Sequence, residues 1–146
     1  MDSQVIKAVY LSSEGRVGRL AFFVFGLILG VINAVIAMVL TSLLGEIGGI
    51  ISLVVSLGVL YLHYNLAAKR FHDLNKPSQY AIYMIIVAVV ASVVARIGSL
   101  QVVTMVLGLV LLAVSLYLLF MPGTTGANDY GAVPETFPGG AKGGAA

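Results

Sequence analysis

The chain has 146 residues, of which 60% are hydrophobic and only 10% charged, with a mean hydropathy of +1.05 and a net charge of +2. A soluble domain carries about 25% charged residues, so this chain cannot cover a water-facing surface and reads as an integral membrane protein with lipid as its outer solvent. Without cysteine it has neither disulfides nor thiolate metal sites, and neither a cofactor nor a nucleic-acid partner is expected.

Four apolar runs follow one another along the chain. The first, Leu20 to Leu44, holds no charged residue. It exceeds the roughly 7–15 residues of a signal-peptide core and three more runs follow it, so it is expected to be retained rather than cleaved. The second, Ile47 to Ala68, is interrupted among strongly polar groups by His63 and Asn65. The third, Tyr80 to Ala95, reaches a spanning length if it begins at Pro77 and Arg96 snorkels outward. The fourth runs from Leu100 to Met121. A span needs roughly 17–25 apolar residues, and lipid, which cannot pair an open strand, leaves helices as the only form. The expected fold is all-α, an antiparallel bundle of four transmembrane helices within residues 1–134. Its spans lie at about 20–44, 47–68, 77–95 and 100–121, and a glycine-rich tail over 135–146 is expected to be disordered.

The cations give the orientation. Lys7, Arg16 and Arg19 precede the first run; Lys69, Arg70 and Lys76 lie between the second and third; Lys142 follows the fourth. With four spans these regions share one side and hold seven of the eight Lys and Arg residues, leaving Arg96 alone opposite. The positive-inside rule then puts both termini in the cytoplasm. The links Gly45-Glu46 and Arg96-Ile97-Gly98-Ser99 are short enough to make antiparallel hairpins, with no sizeable domain on the far side.

Apolar side chains give helices no drive to associate in lipid, so packing is expected at small residues. Gly26 and Gly30 form a GxxxG in the first run; Gly48, Ser52 and Ser56 recur every four residues in the second; Ala88 with Ser92 and Thr104 with Gly108 do the same in the third and fourth. Packing within one bundle is the first reading of these stripes, and homodimerisation through Gly26 and Gly30 the second. Asn33, near the centre of its helix, is read as an interhelical hydrogen-bonding residue. His63 is placed at headgroup level with Tyr64 and Asn65, a proton relay being the lesser alternative.

Charge is densest at Lys69-Arg70-Phe71-His72-Asp73-Leu74-Asn75. If the second helix continues to about Leu74, Asp73 falls four residues from Lys69 and three from Arg70, both ion-pair spacings. Pro77 then marks the break, with Ser78 a candidate N-cap for the third helix. Adjacent residues on a helix point about 100° apart, so His72 and Asp73 do not share a ligand geometry. No HExxH, Walker or GxSxG motif is present. The chain is therefore read as non-enzymatic. Lys69, Arg70 and Lys76, with Arg16 and Arg19, form a basic collar attractive to anionic headgroups. A plain topology signal would explain those cations but not the interleaved His72, Asp73 and Asn75.

Three separated motifs resemble one family. Glu14-Gly15-Arg16-Val17-Gly18-Arg19 with Phe22-Phe23 resembles its lead-in to the first helix. Arg70-Phe71-His72-Asp73-Leu74-Asn75-Lys76 resembles its central loop, and Pro122-Gly123-Thr124-Thr125-Gly126-Ala127-Asn128-Asp129-Tyr130-Gly131 with Pro134 its ending. The match, from about Tyr10 to Pro134, is to the bacterial inner-membrane family of domain of unknown function 805, the YhaH/YhaI-like proteins. Where that family usually has Ser-Gly-Trp after the loop, this chain has Pro77-Ser78-Gln79-Tyr80. The resemblance implies a multi-pass protein of the bacterial inner membrane; the family brings no established reaction. It also suggests that the three motifs meet, with Asp73 pairing Arg16, Arg19 or Arg70 and with Asn128 and Tyr130 beside the loop. The function expected is an accessory or interaction subunit whose cytoplasmic polar cap docks a membrane partner or anionic lipid. A small oligomeric channel or transporter is the alternative.

Overall fold

In the computed structural model, residues 3–136 are described, and every regular element among them is helical. The short α1 (Ser3–Tyr10) leads to α2 (Arg19–Asp73), 55 residues long, followed by α3 (Gln79–Val94), a 3₁₀ turn (Gly98–Leu100) and α4 (Gln101–Phe120). Beyond Thr136 the tail anticipated as disordered lies outside the described residues.

The long α2 is a hairpin in all but name. At Gly45 the backbone leaves helical geometry with φ 57° and ψ −130°, a left-handed conformation that glycine adopts without steric cost. The arms on either side, residues 19–44 and 46–73, return along one another: Ser56 Oγ donates to Asn33 Oδ1 at 3.0 Å across them. Gly48 is buried because a Cβ there would fall on the Leu40 carbonyl. The expected two-residue link is thus a single residue, and the expected roles of Gly48 and Asn33 both lie in closing this hairpin.

The second arm stops by a Schellman arrangement. Asn75 takes a positive φ of 55°, Asn75 N donates to His72 O and Lys76 N to Phe71 O. Asn75, expected among the polar cap residues, is exposed and serves the backbone turn instead. Pro77 then forbids continuation, and α3 begins within two residues of it. Ser78 occupies the N-cap position but in helical backbone geometry, so its hydroxyl makes no capping bond.

Two helices, α2 and the stretch Gly98–Phe120, are long and apolar enough to cross a membrane, and α3 is a shorter apolar helix of 16 residues. Their apolar faces are largely uncovered: Leu43 is 76% and Val102 70% exposed, as suits lipid rather than water. Apart from Gly48 at the hairpin tip, the buried residues gather toward the other end. Val9, Tyr10, Val17, Ala21, Phe25, Leu29 and Leu66 form one apolar cluster; Ala67, Ala68, Phe71, Ala81 and Leu118 form another beside it. This end, where α1, the end of α2 and the close of α4 converge, is the best-packed part of the molecule.

Not every small residue packs. A Cβ on Gly26 would make ordinary contact with Leu66 at 3.7 Å, whereas Gly30 and Gly108 face open space. The close packing anticipated at those two positions is absent within the chain. Gly30 and Gly108 both sit on exposed faces of their helices.

Candidate functional site

Between residues 65 and 73 the second arm of α2 is continuously buried, although it carries Asn65, Lys69, Arg70, His72 and Asp73. Burial of so many polar groups is tolerable only if each finds a partner. Among the described residues no buried side-chain nitrogen or oxygen lacks one.

Asp73 is the node. Arg16 reaches its Oδ1 through both Nε, at 3.1 Å, and Nη2, at 2.9 Å. Arg70, one turn back on the same helix, donates through Nη1 to Oδ2. Each carboxylate oxygen therefore holds one guanidinium, with the Arg16, Arg70 and Asp73 side chains 1%, 0% and 4% exposed. Charge-assisted pairs of this kind are strong, but only while both partners remain. The backbone carbonyl of Asp73 accepts from Thr124 N at 2.8 Å and Thr124 Oγ1 at 2.7 Å. Gly123 lies so close that a Cβ there would collide with the Asp73 carboxylate.

The two arginines also close other segments. Arg70 Nε donates to Leu118 O at 2.7 Å and Nη2 to Met121 O, capping the C-terminal end of α4, where carbonyls are left over and the helix dipole favours a cation. Arg16 donates to the carbonyls of Thr124, Gly126 and Gly131. It thereby ties the segment before α2 to the loop after α4, which needs positive φ at Gly126 (82°) and Gly131 (126°) to present those carbonyls.

Lys69 departs from its expected pairing with Asp73. Its Nζ donates instead to the carbonyls of Ala8 and Val9, while Asn65 Nδ2 donates to Tyr10 O at 2.8 Å. Together they cap α1, and the Tyr10 hydroxyl reaches Phe25 O. One stretch of α2 thus serves the C-terminal ends of two other helices. The i,i+4 spacing is geometrically open to Lys69, but the unsatisfied α1 carbonyls and the two guanidiniums already on Asp73 take precedence. Lys69 and His72 lie past the apolar run that ends at Ala68. Burial lowers the Lys69 ammonium to about 8 and also lowers the His72 imidazole, with nearby Lys69 adding to that effect.

His72 stacks flat on Tyr130, ring centroids 3.9 Å apart and planes 4° from parallel, and its Nδ1 bonds Gly15 O at 3.1 Å. Asn128 donates Nδ2 to His72 O at 2.8 Å and folds its own turn through Oδ1, which accepts from Tyr130 N. The anticipated meeting of the three motifs thus brings together Arg16, Arg70, His72, Asp73, Asn128 and Tyr130. It does not include Arg19, which is exposed and makes no ion pair among the described residues. Lys76 lies outside it as well, 5.7 Å from the Tyr80 ring centroid. Asn65, Thr124, Gly123 and α1 itself belong to the cap but carry no charge pattern that would mark them in sequence.

His63 and Asn33 stand apart from this cluster. His63 Nδ1 bonds the carbonyl of Val59, four residues back. With Asn33, Ser52 and Ser56 it lines a cavity of about 390 Å³ that also touches Arg96. Ser52 therefore borders a space rather than sealing a helix contact, while Ser56 borders it and also bonds Asn33 across the arms. Among the described residues no group of three or more His, Cys, Asp or Glu side chains is placed to hold a metal.

The three motifs that build the cap are spread over most of the chain, and so is its likeness to known proteins. No curated protein and no solved structure matches it. A family model described as "Protein of unknown function (DUF805)" matches residues 10–132, from the close of α1 to the loop held by Arg16, and the chain belongs to that family.

Proposed function

We propose that this is a non-enzymatic, multi-pass protein of the bacterial inner membrane. In this reading the two arms of α2, α3 and α4 are four spans, and both termini are cytoplasmic. The cap serves as a docking face for a membrane-protein partner or for anionic headgroups. One observation carries the reading. The polar groups inside the cap are engaged with one another and with helix-end carbonyls, whereas Lys7 and Arg19 stand exposed around it. Interior groups so occupied stiffen a surface; rim cations beside apolar helix faces suit a headgroup layer, each contributing ~1 kcal/mol of attraction to anionic lipid. Half-buried Lys76, beside Tyr80 at the start of α3, supports the same picture, since aromatic and basic residues favour membrane interfaces.

The test is isolation of the tagged protein in mild detergent, followed by reconstitution in discs of phosphatidylglycerol or phosphatidylcholine. A stoichiometric membrane partner, or a thermal stabilisation by phosphatidylglycerol that salt weakens and Arg19→Gln with Lys76→Gln removes, supports the docking cap. Neither result appearing would sink it. The second reading, a small oligomeric channel or transporter, is favoured by the polar cavity at Asn33, Ser56 and His63. A homo-oligomer that conducts or transports in liposomes would select it.

A further inference from the structure

The cavity bordered by Asn33, Ser52, Ser56, His63, Ser92 and Arg96 lies between the two arms of α2 and α3. Its lining is set by helical spacing. Ala88, Ser92 and Arg96 recur every four residues in and after α3, and Ser52, Ser56 and His63 share a face of the second arm. Small residues along these faces leave the volume between the helices unfilled, a space of about 390 Å³.

Among the described residues that space offers two unengaged donor groups and no acid, the Ser52, Ser56 and Ser92 hydroxyls being spent on Gly49, Asn33 and Val89. The Arg96 guanidinium makes no hydrogen bond or ion pair among the described residues and is exposed at one end. Asn33 uses its carbonyl oxygen on Ser56, and its amide NH₂ donates to nothing among the described residues. His63 donates Nδ1–H to Val59 O, so Nε2 of the neutral ring faces the space as an acceptor. Among the described residues no Asp or Glu borders the cavity. A cation and an amide donor without a carboxylate suit an oxyanion, and a guanidinium suits a phosphoryl group best.

A second cavity, of about 320 Å³, begins at His63 and runs toward the cap between the first arm, α3 and α4. Its walls are apolar, Phe22, Leu27, Met84 and Leu116 among them. The order of chemistry is therefore cation, polar wall, His63, apolar wall. Arg96 follows the end of α3, at the end of that helix away from the cap. A headgroup would meet it from the leaflet opposite the cap.

We propose that the two cavities together hold one anionic phosphate-bearing amphiphile from that leaflet. Its phosphoryl group sits at Arg96 and Asn33, and its chain passes His63 into the apolar cavity. This site is separate from the cap and does not rest on the cap's role.

The experiment is native mass spectrometry of the full chain after detergent delipidation, titrated with phosphatidylglycerol, with phosphatidylcholine and with inorganic phosphate. Wild type should retain phosphatidylglycerol over phosphatidylcholine. Arg96→Gln, which disturbs no internal bond, should weaken that adduct by roughly tenfold or more. Ser92→Leu, which fills the space, should weaken it too without lowering thermal stability. Competition by millimolar inorganic phosphate would assign the oxyanion site to a free anion; its failure to compete assigns it to lipid. Equal retention of the two lipids, or wild-type binding by both variants, overturns the proposal. Arg19→Gln with Lys76→Gln should leave this adduct intact, so failure of the cap reading and failure of this one are told apart.

Discussion

Asp73 carries two guanidiniums on its two oxygens and a backbone turn on its carbonyl, so its replacement acts on three segments at once. Asp73→Asn keeps the shape and removes the charge, leaving Arg16 and Arg70 buried and unbalanced. The expected loss is on the order of 3–5 kcal/mol, read as a large drop in unfolding temperature in detergent. Lys76→Gln, away from the cluster, should shift it negligibly. Reversal by Arg70→Asp with Asp73→Arg should not rescue, because Arg70 also holds Leu118 and Met121 and Arg16 would then face a second cation. Gly123→Ala should destabilise by about 1–3 kcal/mol through the collision of its Cβ with the carboxylate; wild-type stability in that variant would contradict the close approach. His72 adds a pH dependence. Burial depresses its folded pKa, so the unfolded chain takes up the proton more readily. The stability that depends on the neutral ring is complete above about pH 6.5 and is lost as pH falls through the lower folded value. Melting between pH 7 and pH 5 should fall more steeply for wild type than for His72→Gln.

At the scale of elements, the last three turns of α2 act on the ends of α1 and α4. Lys69→Met should therefore release α1 while leaving the other helices in place. Hydrogen exchange of the amides over residues 6–11 should speed up, with α3 and α4 unchanged; equal protection throughout would show that α1 holds without Lys69. The same elements show what a sequence reveals. Uncharged runs announce their helices, and the helix boundaries found lie within a few residues of those expected, because apolar length is a local property. Arg70 and Asp73, three apart on one helix, are legible for the same reason. The short α1 is not: its last residues, Val9 and Tyr10, are the buried ones over residues 6–10, and its stability comes from Asn65 and Lys69, more than fifty positions away. The stripes of small residues are ambiguous by nature. Gly48 lets a backbone approach and Ser56 bonds across the arms, whereas Ser52 and Ser92 only border a space, and spacing alone is identical for all of them.

For the whole molecule, the hydrogen bonds from Arg16 to Asp73 and to the loop over residues 124–131 require that the segments before α2, after α2 and after α4 lie on one side. Under the proposed cytoplasmic orientation, single cysteines replacing Ser13, Ser78 and Thr125 should resist an impermeant thiol reagent applied outside intact cells, while one replacing Ser99, at the opposite end, should react. Outside labelling at position 78 would overturn both the four-span reading and its orientation. The same bonds carry a consequence for synthesis. Thr124, Gly126 and Gly131 leave the ribosome only after every apolar helix has done so, and until then Arg16 lacks three of its acceptors and Asp73 lacks Thr124. A nascent chain halted after Met121 would show cellular proteases an open, charged end, and should be cleared far faster than the finished protein. Closing of the loop over Asp73 is in that sense the molecule's own mark of completion.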